Sequence, residues 1–266
     1  MLGADETHAF VVSITEAREK VRVALSGKET RAGEISTAID EYLPLLWQFF
    51  DSLERQPPVK MDVPLVFSWL GSVTTSNKPS AFGHVLFELI MTLHAKGVCL
   101  ANAAREIVQA DAGSVNTAAK NLREASAVMA FLSTGVIPRW QAISYAELKP
   151  PECSADHAKF LADFFAASAH QMVVAKALQG NPPSSLMTSL CLNVVRSMEF
   201  SLDILHRFAA ADIPRTDSTL AVHIAVQREY FFAMVYYFQA EDQMSKTETG
   251  NAIALCAMAQ VGSPPP

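Results

Sequence analysis

The sequence predicts an all-α protein made of antiparallel pairs of long helices, stacked into a tetratricopeptide-like, solenoid or boomerang-shaped domain. Three observations lead there. Apolar residues recur at helical spacing in one segment after another. No segment shows sustained period-two alternation, and no turn pair flanked by β-branched runs occurs. The helical runs are separated by short punctuation such as Gly180-Asn181-Pro182-Pro183, and short links join antiparallel neighbours. A 34-residue repeat signature is absent, so the stack is inferred from helix pairing alone.

Taken in order, Val11–Ser26 and Gly33–Arg55 read as a helical hairpin. In the second helix Ile39, Leu43, Leu46, Phe49, Phe50 and Leu53 form one stripe, and a single stripe is what a half-buried helix needs. Pro57-Pro58 stops it, because proline lacks a backbone donor and sets its predecessor extended. Leu65–Val73 reads as a connector and Thr74–Ser80 as a polar turn. Phe82–Val108 is expected to be the longest helix and a central one, apolar on most sides, with Val115–Leu132 as its antiparallel partner. Thr134–Cys153 reads as irregular, punctuated by Gly135, Pro138, Pro150 and Pro151. Asp156–Gln179 and Ser185–Phe208 form the next helix pair. Ala209–Ser218, with Pro214, links it to Leu220–Met244 and a last helix, Glu248–Gln260. Residues 1–260 are read as one domain, and 261–266 as a disordered proline-rich tail too short for a proline-motif ligand.

Composition narrows the function. Half of the 266 residues are apolar and 18% are charged, so a large core can form. The net charge is -6 without a basic stripe, which argues against a nucleic-acid partner and a polybasic membrane anchor. The N-terminus does not read as a signal peptide. The apolar run Phe82–Ala104 carries Glu88, His94 and Lys96, charges that are costly in a bilayer, so a buried soluble helix is expected rather than a transmembrane segment. Cys99, Cys153, Cys191 and Cys256 form no C-x-x-C pair and read as small buried hydrophobes in a reducing compartment.

Catalytic and metal patterns are missing. The seven histidines make no H-E-x-x-H, and no His/Cys/Asp set has zinc spacing. Phosphate-cradling glycine loops and a nucleophile elbow are also absent. Cys191 has no adjacent base, which a thiol nucleophile needs. His84 and Glu88 read as a helical polar pair. Neither cofactor nor metal is expected. An enzyme of unrecognised type would need ionisable groups to converge from afar, most plausibly near His84, Glu88 and His170.

One site-like feature is apolar. On a helical wheel, Leu161, Phe164, Phe165, Ser168, Met172 and Ala175 share one side of their helix. Val173 falls roughly 130° from that centre, with Lys176 as its i+3 neighbour. In the next helix Met187, Cys191, Val194, Met198 and Leu205 form the stripe, while Leu186 lies roughly 115° and Leu190 roughly 75° away. Leu186 and Leu190 are surface neighbours at i,i+4, with polar Asn193 and Ser197 in line above them. Because Ile204 and Phe208 prolong that side, two readings stand: a helix sandwiched on both faces, or a groove for a partner's amphipathic helix with Lys176 at the rim.

The order of segments resembles the Bro domain of Alix-like endosomal sorting adaptors. Val66-Phe67-Ser68-Trp69-Leu70 resembles the family's F-x-W segment, and Phe82–Ala104, with Leu100-Ala101-Asn102-Ala103-Ala104, resembles its long central helix. The stretch from Ala167 to Ala177 is similar to the family's "AQAQE…FFLKA", with Val173-Val174 where the family has an aromatic pair. The family's opening strand hairpin and roughly its C-terminal third have no counterpart in the chain. The resemblance implies a non-enzymatic, cytoplasmic adaptor recruited to endosomes, binding the C-terminal amphipathic helix of an ESCRT-III filament subunit. The binding positions it implies are Val173, Lys176, Leu186 and Leu190, the aromatic anchor being reduced to valine at Val173. The rival expectation is a structural helical subunit packed within a larger complex.

Overall fold

Helix dominates the residues described by the computed structural model, which are 4–27, 29–55, 65–71, 78–143, 149–210 and 218–261. Two compact units emerge. The first comprises residues 1–106 and 127–159, the second 107–126 and 160–266. The expectations placed on Pro57-Pro58, most of Thr74–Ser80, most of the Ala209–Ser218 link and the tail from Gly262 fall outside the described residues.

In the first unit, α1 (Ala4–Ser26) and α2 (Ala32–Arg55) form the anticipated hairpin. The deepest residues of α2 are Ile39, Tyr42, Leu46 and Phe50. Tyr42 therefore takes the place that the apolar pattern gave to its neighbour Leu43. Arg31 caps the turn into α2 through its carbonyl, which accepts from the backbone N–H of Glu34 and Ile35 at 3.0 and 3.2 Å.

The connector and polar turn are partly strand. β1 (Phe67–Trp69) pairs antiparallel with β2 (Ser80–Phe82) in the register Phe67↔Phe82, Ser68↔Ala81, Trp69↔Ser80. Three residues are too few to show alternation. What favours the ribbon is aromatic packing: Phe82 meets Phe87 at 4.7 Å between centroids and Trp140 edge-on at 5.5 Å. Aromatic pairs at such spacing contribute about 1 kcal/mol each beyond area burial.

α3 (Val85–Ala110) begins at Val85, since Phe82 belongs to β2, and it is shorter than α7 and α8 below. It is long and apolar enough to cross a membrane, yet 78% of its most apolar window is buried inside the protein. Asp111 caps the next turn by accepting from Gly113 N–H at 2.8 Å, and α4 (Val115–Phe131) follows. Close approach of α3 and α4 depends on Gly97, where an added Cβ would stand 2.6 Å from Met129 Cε.

Among its described residues, the stretch expected to be irregular from Thr134 to Cys153 is mostly helical. α4 runs through a π turn at Leu132–Val136 into α5 (Ile137–Ile143). Leu132, Val136, Ile137 and Trp140 are buried along it, and their burial outweighs Gly135 and Pro138 as breakers. Pro138 follows directly on the π turn, whose widened hydrogen-bond pattern already interrupts the regular α ladder there. A 3₁₀ turn, Pro151–Cys153, leads to α6.

The second unit packs α7 (Ser184–Ala210) against α8 (Ser218–Ser245), and α8 against α9 (Thr249–Val261), with α6 (Ala155–Leu178) completing the core. Met187, Cys191, Val194, Met198 and Leu205 of α7 are all buried, as their spacing implied. Ile224, Phe231, Val235 and Phe238 of α8 meet them. For α6 the structure corrects the wheel: the line facing this cluster is Phe160, Ala167 and Val174, spaced by seven, with Leu161 and Phe164 at its margin. Ala158, Ala162, Phe165 and Ala169 are buried as well. A helix covered on several sides has no single apolar centre to find.

Candidate partner-binding face

The turn between α6 and α7 sets this face. Asn181 takes a left-handed backbone, φ 49°, a conformation asparagine tolerates better than most residues. Pro183 carbonyl then accepts from the N–H groups of Leu186 and Met187 at 3.0 and 3.2 Å, starting α7. Phe160, Ala167 and Val174 hold one side of α6 in the core, so Val173, one position before Val174, turns outward and is half-buried. Lys176 is exposed, and its ammonium donates to Gln179 Oε1 at 3.2 Å. In α7, Leu186 is 48% exposed beside the fully buried Met187. Leu190, one turn on, is half-buried at the edge of the core cluster. The four residues thus lie on two consecutive helices, two of them apolar margin, one apolar surface and one cationic. Ile204, further along the same side, is buried. Phe208 side chain falls outside what the structure describes.

Of the residues proposed as a catalytic alternative, His84 and Glu88 belong to the first unit and His170 to the second. His84 precedes α3, and its Nδ1 accepts from Leu86 N–H at 3.1 Å, so it does not form the expected pair with Glu88. His170 belongs to the second unit and is exposed. Glu88 is fully buried in the first unit and is saturated by donors. Arg18 gives it two hydrogen bonds, at 2.8 and 3.3 Å, Tyr42 hydroxyl one at 3.0 Å and Trp69 Nε1 one at 2.5 Å. Burial and the neighbouring Glu88 charge raise the Tyr42 phenol well above its usual range. This knot ties α1, α2, β1 and α3 together. Sequence reading missed it because its members are 70, 46 and 19 residues from Glu88. The only clue was a carboxylate inside an apolar run. Lys96 is a second buried charge, donating to Ser36 Oγ at 2.7 Å and Asp40 Oδ2 at 2.6 Å.

Beside the knot lies a cavity of about 570 Å³, walled by Val21, Leu25, Trp69, Met91 and Val98, with Arg18 at its polar side. His94 also lines the cavity, and it stacks on His157 with ring centroids 5.7 Å apart. Burial, with His157 adding to it, pushes His94 down to about 3, and burial pushes His157 down to about 4. Burial raises the thiols of Cys99 and Cys191 to about 11, which keeps them protonated and poorly nucleophilic. Cys256 is exposed, unlike the other three, because it lies on the outer side of the short α9. Among the described residues no group of His, Cys, Asp and Glu has the arrangement of a metal site.

The sequence pattern of the BRO1-like domain matches residues 13–262. The chain belongs to the BRO1-like domain family. Solved BRO1 structures share its all-α fold. The complex of ALIX BRO1 with CHMP4C matches with a TM-score of 0.78 at 16% identity, covering 98% of this chain and 71% of that one. A Bro1 domain described in terms of endosomal targeting matches at 0.74 and 15%, covering 98% and 68%. ALIX bound to the SIVmac239 PYKEVTEDL late domain matches at 0.72 and 18%, covering 94% of this chain and 35% of that longer one. At identities this low the likeness shows the BRO1 fold alone. Among curated proteins none matches significantly.

Proposed function

We propose that this BRO1-like chain acts as a non-enzymatic adaptor. It binds the C-terminal amphipathic helix of an ESCRT-III filament subunit through Val173, Lys176, Leu186 and Leu190, and so joins the sorting machinery at endosomal membranes from the cytoplasm. Residues 1–260 serve as a single binding domain in this reading. The observation that carries it is Leu186, a leucine held half-exposed on the outer side of a helix whose other side is fully committed to the core, in a chain whose fold is that of ALIX BRO1 with CHMP4C. An amphipathic helix recognises such a face by laying its own apolar anchors along it. The reduced Val173 offers less apolar area than an aromatic residue, which lowers affinity by on the order of 1 kcal/mol. Lys176, whose ammonium donates to the neutral amide of Gln179, supplies steering toward an acidic partner more than affinity.

Titration of a fluorescently labelled CHMP4C C-terminal helix tests this by anisotropy. Saturable binding by the native protein, abolished in Leu186→Asp with helical circular dichroism unchanged, is the expected result. Loss of helicity in Leu186→Asp would make Leu186 a core residue, and absence of binding by the native chain would remove the adaptor reading. Lys176→Glu should slow association and flatten its salt dependence, leaving dissociation nearly unchanged.

A second reading, a structural subunit in a larger complex, draws on α8. Val222, Val226, Tyr230, Tyr237 and Met244 are all more than half exposed along it, at spacings of four, four, seven and seven. Sedimentation of the native complex separates the two readings: a permanent partner favours the subunit.

A further inference from the structure

The cavity beside the Glu88 knot lies within the first unit and shares no residue with the peptide face, which belongs to the second. Its volume of about 570 Å³ falls inside the range of small-molecule sites, roughly 300–1,000 Å³. Three elements wall it. α1 contributes Arg18, Val21, Arg22 and Leu25, which recur at i, i+3, i+4 and i+7 and so share one helical face. α3 contributes Met91, Ala95 and Val98 by the same spacing, and β1 ends against it with Trp69. Val21 and Met91 are buried, whereas Leu25 and Leu70 stand 40% and 59% exposed. Apolar surface thus runs from the interior to a mouth where two leucines from different elements meet water.

The charges on this wall are unequal. Arg18 and Arg22 line it as cations, Glu88 is the one carboxylate among the described lining residues, and burial keeps His94 neutral. On a chain of net charge -6, cations therefore outnumber carboxylates here. Glu88 is already occupied by Arg18, Tyr42 and Trp69. Glu19, which does not line the cavity, pairs with Arg22 at 2.6 Å, and both side chains are more than half exposed. An ion pair open to water on both sides holds its partners weakly, so Arg22 is the cation that an incoming anion can take. The buried Nε2 of His94 has no hydrogen-bond partner among the described residues. Buried polar atoms are nearly always paired, so this wall has a polar group still to be matched.

We propose that this cavity binds a single-chain anionic amphiphile of the fatty-acid class, its alkyl chain against Val21, Met91 and Val98 and its carboxylate at Arg22. Burial of the chain supplies most of the binding free energy, and the guanidinium decides which end faces water. A helix roughly 10–12 Å across fills such a volume in about one turn, so a docked helix would be held by that turn alone. An alkyl chain is covered along its length.

The test is calorimetric titration of the full chain with sodium decanoate below its micellar concentration, with decan-1-ol as the uncharged counterpart. Saturable binding of decanoate, tighter than that of decanol, is the expected result. Arg22→Glu changes an exposed side chain outside the knot, so circular dichroism should not change. It should weaken decanoate about tenfold and leave decanol within about twofold. Ala95→Phe puts a ring into the cavity and should abolish binding of both, with the melting temperature unchanged or raised. Should Ala95→Phe fail to fold, Arg22→Glu decides. No saturable binding by the native chain overturns the proposal, and so does a folded Ala95→Phe that binds as the native chain does. Decanoate bound equally by Arg22→Glu and the native chain overturns the placement of the carboxylate. Neither substitution should alter binding of the CHMP4C helix, so the outcome stands apart from the adaptor reading.

Discussion

Glu88 is the residue on which the first unit most depends. Its carboxylate is fully buried and takes four hydrogen bonds from Arg18, Tyr42 and Trp69. Replacing it with leucine leaves three donors stranded, one of them a guanidinium. Breaking one side of a buried pair costs roughly 3–5 kcal/mol, and the partial exposure of Arg18, 35%, brings the expected loss toward the lower end, about 3 kcal/mol. Urea denaturation of Glu88→Leu followed by circular dichroism should show that shift in midpoint, with Glu88→Gln intermediate because an amide still accepts. Leu186 is the opposite case. With its side chain half in water, Leu186→Ala should change stability by less than about 0.5 kcal/mol. Sequence spacing revealed Leu186 as an outlier from its stripe, whereas Glu88 could be read only as a charge in an odd place. A helical wheel records direction within one helix; it holds nothing about partners from elsewhere in the chain.

At the scale of elements, legibility followed the number of faces a helix buries. α7 buries one broad side, and Met187, Cys191, Val194, Met198 and Leu205 were all visible by period. α6 buries several sides, so the wheel centred on Leu161, Phe164 and Met172 while the structure centres on Phe160, Ala167 and Val174. β1 and β2 were invisible because three-residue strands carry no period, and their ribbon is fixed by Phe82 against Phe87 and Trp140. The π turn escaped because Gly135 and Pro138 are breakers by composition, while Leu132, Val136 and Ile137 are core by burial. The two sides of α7 give a direct comparison: Met198→Ala should cost about 2–4 kcal/mol, transfer plus cavity, with peptide affinity unchanged for the folded fraction. Leu186→Asp should do the reverse. The four candidate positions Val173, Lys176, Leu186 and Leu190 came from the wheel and from family resemblance together.

For the whole molecule, acid stability follows from the stacked histidines of the first unit. Both are held neutral, with folded values of about 3 and about 4 against 6.5 for the free side chain. The unfolded chain therefore binds more protons below pH 6.5, and stability is full above that value. It falls by roughly 1.4 kcal/mol per pH unit for each histidine as pH drops toward 4, with Glu152 moderating the loss. Thermal melts between pH 7.5 and 4.5 should show the decline, and His157→Phe should flatten it. Family membership was the most legible property at this scale, being spread over residues 13–262, since weak agreement at many positions survives where any single motif has drifted. The tryptophans carry one more consequence of the division into two units. Trp47, Trp69 and Trp140, the only three in the sequence, all belong to the first unit, and the second holds only tyrosines among its described indole and phenol groups. Excitation at the red edge of the absorption band therefore lights one half of the protein, and the native chain carries its own two-colour record of whether its halves melt together.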